Sequence, residues 1–195
     1  MSSKKGGEFE RDMARAFSLW WTKSERDDIF WRTHASGGRA TTRHKAGLQT
    51  ADSYGDLMAM HEIGKPLTNK VVIELKRGYS KKRNQKRTVS LLSLLDTPPG
   101  QKTRPIIYQW LMKVNKIRRR AKRERYMIVF KRDRKEPCII ISYTFFADLI
   151  YTNNKIFHSS YQKNFIKVKA GGHPLVILPL YEFFQWCRPE SMGKV

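Results

Sequence analysis

The chain has 195 residues, 40% hydrophobic and 12% aromatic, a composition that excludes a disordered or fibrous protein and suits one domain with a substantial core. Its 39 Lys and Arg against 17 Asp and Glu leave a formal net charge of +22, which points to a polyanionic partner, nucleic acid first, because neutralised phosphates supply most non-specific affinity. Two cysteines exclude a disulfide framework, no apolar run approaches the roughly 18 residues of a bilayer span, and the opening MSSKKGGEFE lacks a signal-peptide core; an intracellular, cytoplasmic protein with no membrane partner is expected.

Residues 8–23 predict a helix whose apolar stripe carries Met13, Ala14, Phe17 and Trp21, with Glu10 in its middle. A carboxylate centred on a buried face needs a partner, because an unpaired buried charge is costly. Residues 29–33 (IFWRT) predict a strand, and 34–54 a long polar loop of the kind that often binds ligands. Residues 55–61 (GDLMAMH) predict a second strand, and 62–69, with Gly64 and Pro66, a turn. Residues 70–77 (KVVIELKR) are the clearest strand: Val71, Ile73 and Leu75 fall on one face, Val72, Glu74 and Lys76 on the other.

A basic connection at 78–88 leads to a short helix at about 89–95, the TPPG turn, and a long helix at 105–123 with Trp110, Val114, Ile117 and Ala121 on its apolar face. Strands follow at 126–131 and 137–142, a helix at 144–151, strands at 165–168 and 174–178, and a closing helix at 181–187. Trp20, Trp21, Trp31 and Trp110 read as core by spacing. The element order argues an α/β sandwich around a mixed sheet.

Asp56, Glu74 and Lys76 carry the chemical signal. If strands 55–61 and 70–77 form a hairpin, the three side chains converge. Two carboxylates there suit a hard divalent ion such as Mg²⁺, with Mn²⁺ accepted by the same oxygen ligands. Such an ion activates water and neutralises charge at a phosphate, and Lys76 orients that water or offsets transition-state charge. E-x-K alone also describes the solvated face of a half-exposed sheet, and Asp after Gly a simple turn.

This pattern resembles the PD-(D/E)XK nuclease superfamily. Asp56 matches the first acid, Glu74 the second and Lys76 the lysine, with Gly55 standing where the motif's name has Pro. The run Lys5-Gly6-Gly7-Glu8-Phe9-Glu10-Arg11 is similar to the K-G-x-x-x-E-R opening of archaeal Holliday-junction resolvases. There the first-helix Glu contributes to the metal site, and the resemblance carries that role to Glu10; a capping or ion-paired Glu would give the same pattern. The segment Arg32 to Gly38 is similar to the resolvase loop in which a Ser assists at the phosphate. That implies Ser36, although a polar loop residue fits as well.

The resemblance covers roughly residues 5–77. It implies a restriction-endonuclease-like core, a central mixed β-sheet flanked by helices in αβββαβ order, with extra C-terminal strands and a helix. The whole chain, 1–195, is expected to be a single nuclease domain, with the catalytic core at about 5–142 and a C-terminal elaboration at about 143–195. It implies a Mg²⁺-dependent DNA endonuclease, junction-resolving or of restriction or phage type, acting as a homodimer on duplex or branched DNA. A nucleoid-associated or phage-encoded protein fits the same reading.

Three basic groups are expected to contact phosphates: Arg39, Arg43 and Lys45; Arg77, Lys81, Lys82 and Arg83; and Lys113, Lys116, Arg119, Arg120 and Arg123. Solvated helix surface explains part of such charge equally well. The competing class is a non-catalytic DNA- or RNA-binding protein with a nuclease-like fold. An intact acidic set argues against it, since carboxylates repel phosphate. An RNA-directed nuclease is the third reading.

Overall fold

A computed structural model describes residues 2–33, 54–78, 89–95, 104–157 and 164–192. Helix α1 runs over Ser2–Trp21, starting earlier than the periodicity predicts and passing through Gly6 and Gly7. Gly7 faces β1 (Phe30–Arg32): a Cβ there would lie 2.8 Å from an Arg32 guanidinium nitrogen, so the helix and strand approach closely. Ser18 fixes the same junction, because its Oγ accepts the Phe30 N–H at 2.9 Å and donates to Ala14 O at 2.8 Å. Phe9, Met13, Ala14, Phe17 and Trp20 are buried along α1. Trp31 is not core: strand alternation buries Phe30 and turns Trp31 outward, 44% exposed.

Strand β2 (Leu57–Ala59) pairs antiparallel with β1, not with the strand that follows it, which corrects the expected hairpin. The physical reason lies in residues 62–70. They form a 3-10 turn at Glu62–Gly64 and helix α2 (Lys65–Lys70), not the tight turn a hairpin needs. Pro66 sits in the first turn of α2, where its missing N–H has no helical partner to lose.

Strand β3 (Val71–Arg77) instead opens a five-stranded sheet, completed by β4 (Arg125–Lys131), β5 (Cys138–Ser142), β6 (Ile166–Ala170) and β7 (His173–Pro179) in the order β3-β4-β5-β7-β6. β3 and β4 are parallel and the remaining pairs antiparallel, so the sheet is mixed as expected. A parallel pair needs a crossover; here the intervening chain contains α3 (Leu92–Leu95) and α4 (Ile106–Arg120). Helices α5 (Tyr143–Phe157), α6 (Leu180–Trp186) and α7 (Pro189–Met192) complete the described elements.

Both sheet faces are covered. Val71, Ile73, Leu75, Val129 and Ile139 pack in one core with Phe17 of α1, Phe145 and Leu149 of α5 and Phe183 of α6. Val72, Ile128, Phe130 and Ile140 pack on the other face with Ile107, Trp110, Leu111 and Val114 of α4. The architecture is α/β, with a mixed central sheet flanked by helices, compatible with a restriction-endonuclease-like core. Among the described residues no helix is long and apolar enough to cross a membrane.

Candidate active site

β3 is an edge strand, and Asp56 docks on its open edge. The Asp56 N–H donates to Ile73 O at 2.7 Å, and its carbonyl accepts the Thr33 N–H at 3.0 Å. Its carboxylate Oδ2 accepts the Leu75 N–H at 2.7 Å. The absence of a hairpin therefore does not separate Asp56 from Glu74: backbone and side chain of Asp56 satisfy edge groups of β3 directly. Gly55 makes the approach possible. It has φ +87°, and a Cβ would lie 2.6 Å from Ile73 O. Proline, fixed near φ −65°, has no access to that conformation, so Gly in place of the motif's Pro has a local cause.

Glu74 points to the α4 face of the sheet, on the same side as Val72 and Lys76. Its side chain is 3% exposed. Glu74 Oε2 accepts Lys76 Nζ at 2.5 Å and Lys113 Nζ at 3.1 Å. Lys76 Nζ also donates to Leu75 O at 3.1 Å and lies 3.6 Å from Asp56 Oδ2. One ammonium thus faces oxygens from Asp56, Glu74 and Leu75. These are hard donors arranged around a cation, and the set fits a divalent ion such as Mg²⁺ or Mn²⁺. Burial, and next the Glu74 charge, push the Asp56 carboxyl up to about 6; Lys76, the Leu75 N–H and Lys113 act in the opposite direction. A cation bound at this carboxylate would oppose that rise by favouring its charged form.

The remaining predicted residues divide. Glu10 lies over β1, with Oε2 3.6 Å from Arg32 Nε. That pairing answers the carboxylate on the apolar stripe of α1. Among the described residues no three His, Cys, Asp or Glu gather as a metal cluster, so Glu10 does not join Asp56 and Glu74 in one. Lys113, Lys116, Arg119 and Arg120 are exposed on α4. Arg77 lies near the C-terminal end of β3 and reaches Arg132 O at 3.0 Å and Asp133 at 3.7 Å.

Arg123 departs from the surface role expected of it. It is 9% exposed, donates to Tyr54 O and Val71 O at 3.4 Å each, and lies over the Tyr54 ring. It braces the segment that leads into Gly55 and Asp56. Ser36, Arg39, Arg43, Lys45, Lys81, Lys82 and Arg83 fall outside the described residues.

Sequence reasoning placed Lys113 among the phosphate contacts and did not join it to Glu74. Its position beside the Trp110–Val114 stripe was the available signal: a residue flanking a buried helical face reaches the sheet below.

The chain matches a family model described as "Phage putative PDDEXK endonuclease" over residues 1–191. No match was found among curated proteins or among solved structures.

Proposed function

We propose that this chain, which belongs to the PD-(D/E)XK nuclease family, is a divalent-metal-dependent endonuclease that hydrolyses DNA phosphodiester bonds at Asp56, Glu74 and Lys76. The observation that carries this reading is the group of oxygens from Asp56, Glu74 and Leu75 around the Lys76 ammonium. Asp56 and Glu74 would hold the ion, Mg²⁺ first and Mn²⁺ as a substitute. When bound, the ion supplies positive charge at the scissile phosphate and activates a water. Lys76 donates to the attacking water and offsets charge as the phosphorane-like state forms. Leu75 and Ile73, through the bonds they make to Asp56, keep the first carboxylate aimed at the second. By resemblance Glu10 is assigned to completing or orienting the metal site and Ser36 to the phosphate.

DNA is the proposed partner, supported by the net charge of +22 and by exposed Lys113, Lys116, Arg119 and Arg120 on the helix that covers Glu74. We read residues 1–195 as one nuclease domain: β6 and β7 extend the same sheet as β3, and the family match runs nearly to the end. A junction-type or a phage restriction-type substrate fits this core, as does a homodimer.

The test is cleavage of supercoiled plasmid, linear duplex, single strand, a four-way junction and matched RNA, by wild type and Glu74→Ala, with Mg²⁺ or EDTA. Metal-dependent cleavage by wild type alone establishes the enzyme, and the preferred substrate names the subclass. Binding without cleavage of any substrate supports the non-catalytic binder instead.

A further inference from the structure

Lys113 has a second relationship to the site, beyond a place on a basic helix. Glu74 Oε2 takes two ammonium groups, from Lys76 and Lys113. The two lysines are held differently. The Lys76 side chain is 12% exposed and is also bound to Leu75 O, whereas that of Lys113 is 58% exposed and reaches in from the flank of α4. Lys113 is therefore the one that leaves Glu74 at the smaller desolvation cost.

Two further features bear on where it goes. Lys116 and Arg120 follow Lys113 at i+3 and i+7, so all three share one exposed flank of α4 that begins at Glu74. With both ammoniums in place the two carboxylates are already neutralised, so a divalent ion gains little until one ammonium leaves. A carboxylate oxygen already shared by two cations is a poor ligand for a third.

We propose, resting on the nuclease reading above, that Lys113 is an exchange residue. It holds Glu74 Oε2 and opposes metal binding while the site is free of nucleic acid. It passes to a non-bridging oxygen of the bound phosphate when DNA arrives, and Glu74 is released to the ion. The exchange keeps Lys113 in a charge-assisted hydrogen bond throughout. It ties metal occupancy to substrate occupancy, so the free enzyme is poorly loaded. Lys113 acts through Glu74 and is a positioning residue.

The experiment is a Mn²⁺ titration of the intact protein, reading unbound ion by electron paramagnetic resonance. It uses wild type, Lys113→Gln, Lys113→Arg and Glu74→Gln, with and without a cleavage-resistant phosphorothioate duplex. Without DNA, Lys113→Gln is expected to bind Mn²⁺ about tenfold more tightly than wild type, while Lys113→Arg stays near wild type. Adding the duplex should tighten wild type and narrow its gap to Lys113→Gln. Equal affinities for wild type and Lys113→Gln, both lost in Glu74→Gln, would overturn the exchange and leave the nuclease reading standing. Mn²⁺ binding that is insensitive to Glu74→Gln would overturn both.

Discussion

The Asp56 carboxylate accepts the backbone N–H of Leu75 at 2.7 Å, and so is fixed by the residue between Glu74 and Lys76. A single edge hydrogen bond thus sets the first acid of the site against the second acid and the lysine. The donor is a backbone N–H of the strand, so the Asp56 carboxylate is held at a point that the sheet fixes. The neighbouring Asp56 N–H to Ile73 O bond repeats the tie two residues earlier along the same strand.

Gly55 is what allows Asp56 to lie there, and replacing it is the first prediction. At φ +87°, with Ile73 O 2.6 Å from a built Cβ, alanine must move either its own backbone or the strand. Gly55→Ala is expected to cost about 1–3 kcal/mol in stability. Cleavage should fall on the order of 100-fold, because a displacement near 1 Å is enough to spoil such a site. Gly55→Pro, which would restore the motif's name, should be worse. Thermal melts and single-turnover rates check both variants; a fully active Gly55→Pro would contradict the account.

The second prediction concerns pH. The Asp56 carboxyl, lifted to about 6 from 3.8, holds its proton more tightly folded than unfolded. Between these values the folded state binds more protons, so stability falls as pH rises through that window. In EDTA, wild type should lose several degrees of Tm relative to Asp56→Asn between about pH 4 and pH 7. Asparagine keeps an acceptor for the Leu75 N–H and carries no charge. Parallel melting curves across that range would contradict the prediction.

Arg123 and its neighbours on α4 give the third. Arg123→Ala removes a buried guanidinium from Tyr54 O and Val71 O and should destabilise the protein by about 2 kcal/mol. Lys116→Ala and Arg120→Ala, on exposed positions, should leave Tm nearly unchanged. Each should weaken DNA binding and reduce the salt slope by about 1. Melting curves with salt-dependent binding isotherms separate the two classes. A reversed pattern would put Arg123 on the DNA and the helix flank in a structural role.

Much of this was legible in the sequence because periodicity reports burial. The alternation of β3 put Glu74 and Lys76 on one face, and the 3.6-residue spacing marked the α1 stripe with Glu10 inside it. The pairing of β2 was not legible. A segment with Gly64 and Pro66 looks like a turn, and only the tertiary fold shows that Pro66 occupies the first turn of α2. Nor was the join between α4 and β3. Lys113 and Arg123 read alike as members of a basic run, yet one reaches Glu74 and the other is buried against backbone carbonyls. Composition records their charge, and packing assigns their partners.

The most direct test is single-turnover cleavage of one labelled duplex in Mg²⁺ by wild type, Glu74→Gln and Lys76→Met, with binding of the same duplex measured in parallel. Each variant is expected to lose on the order of 100-fold or more in rate, with duplex affinity close to wild type. Cleavage at the wild-type rate by Glu74→Gln would contradict the assignment of this site.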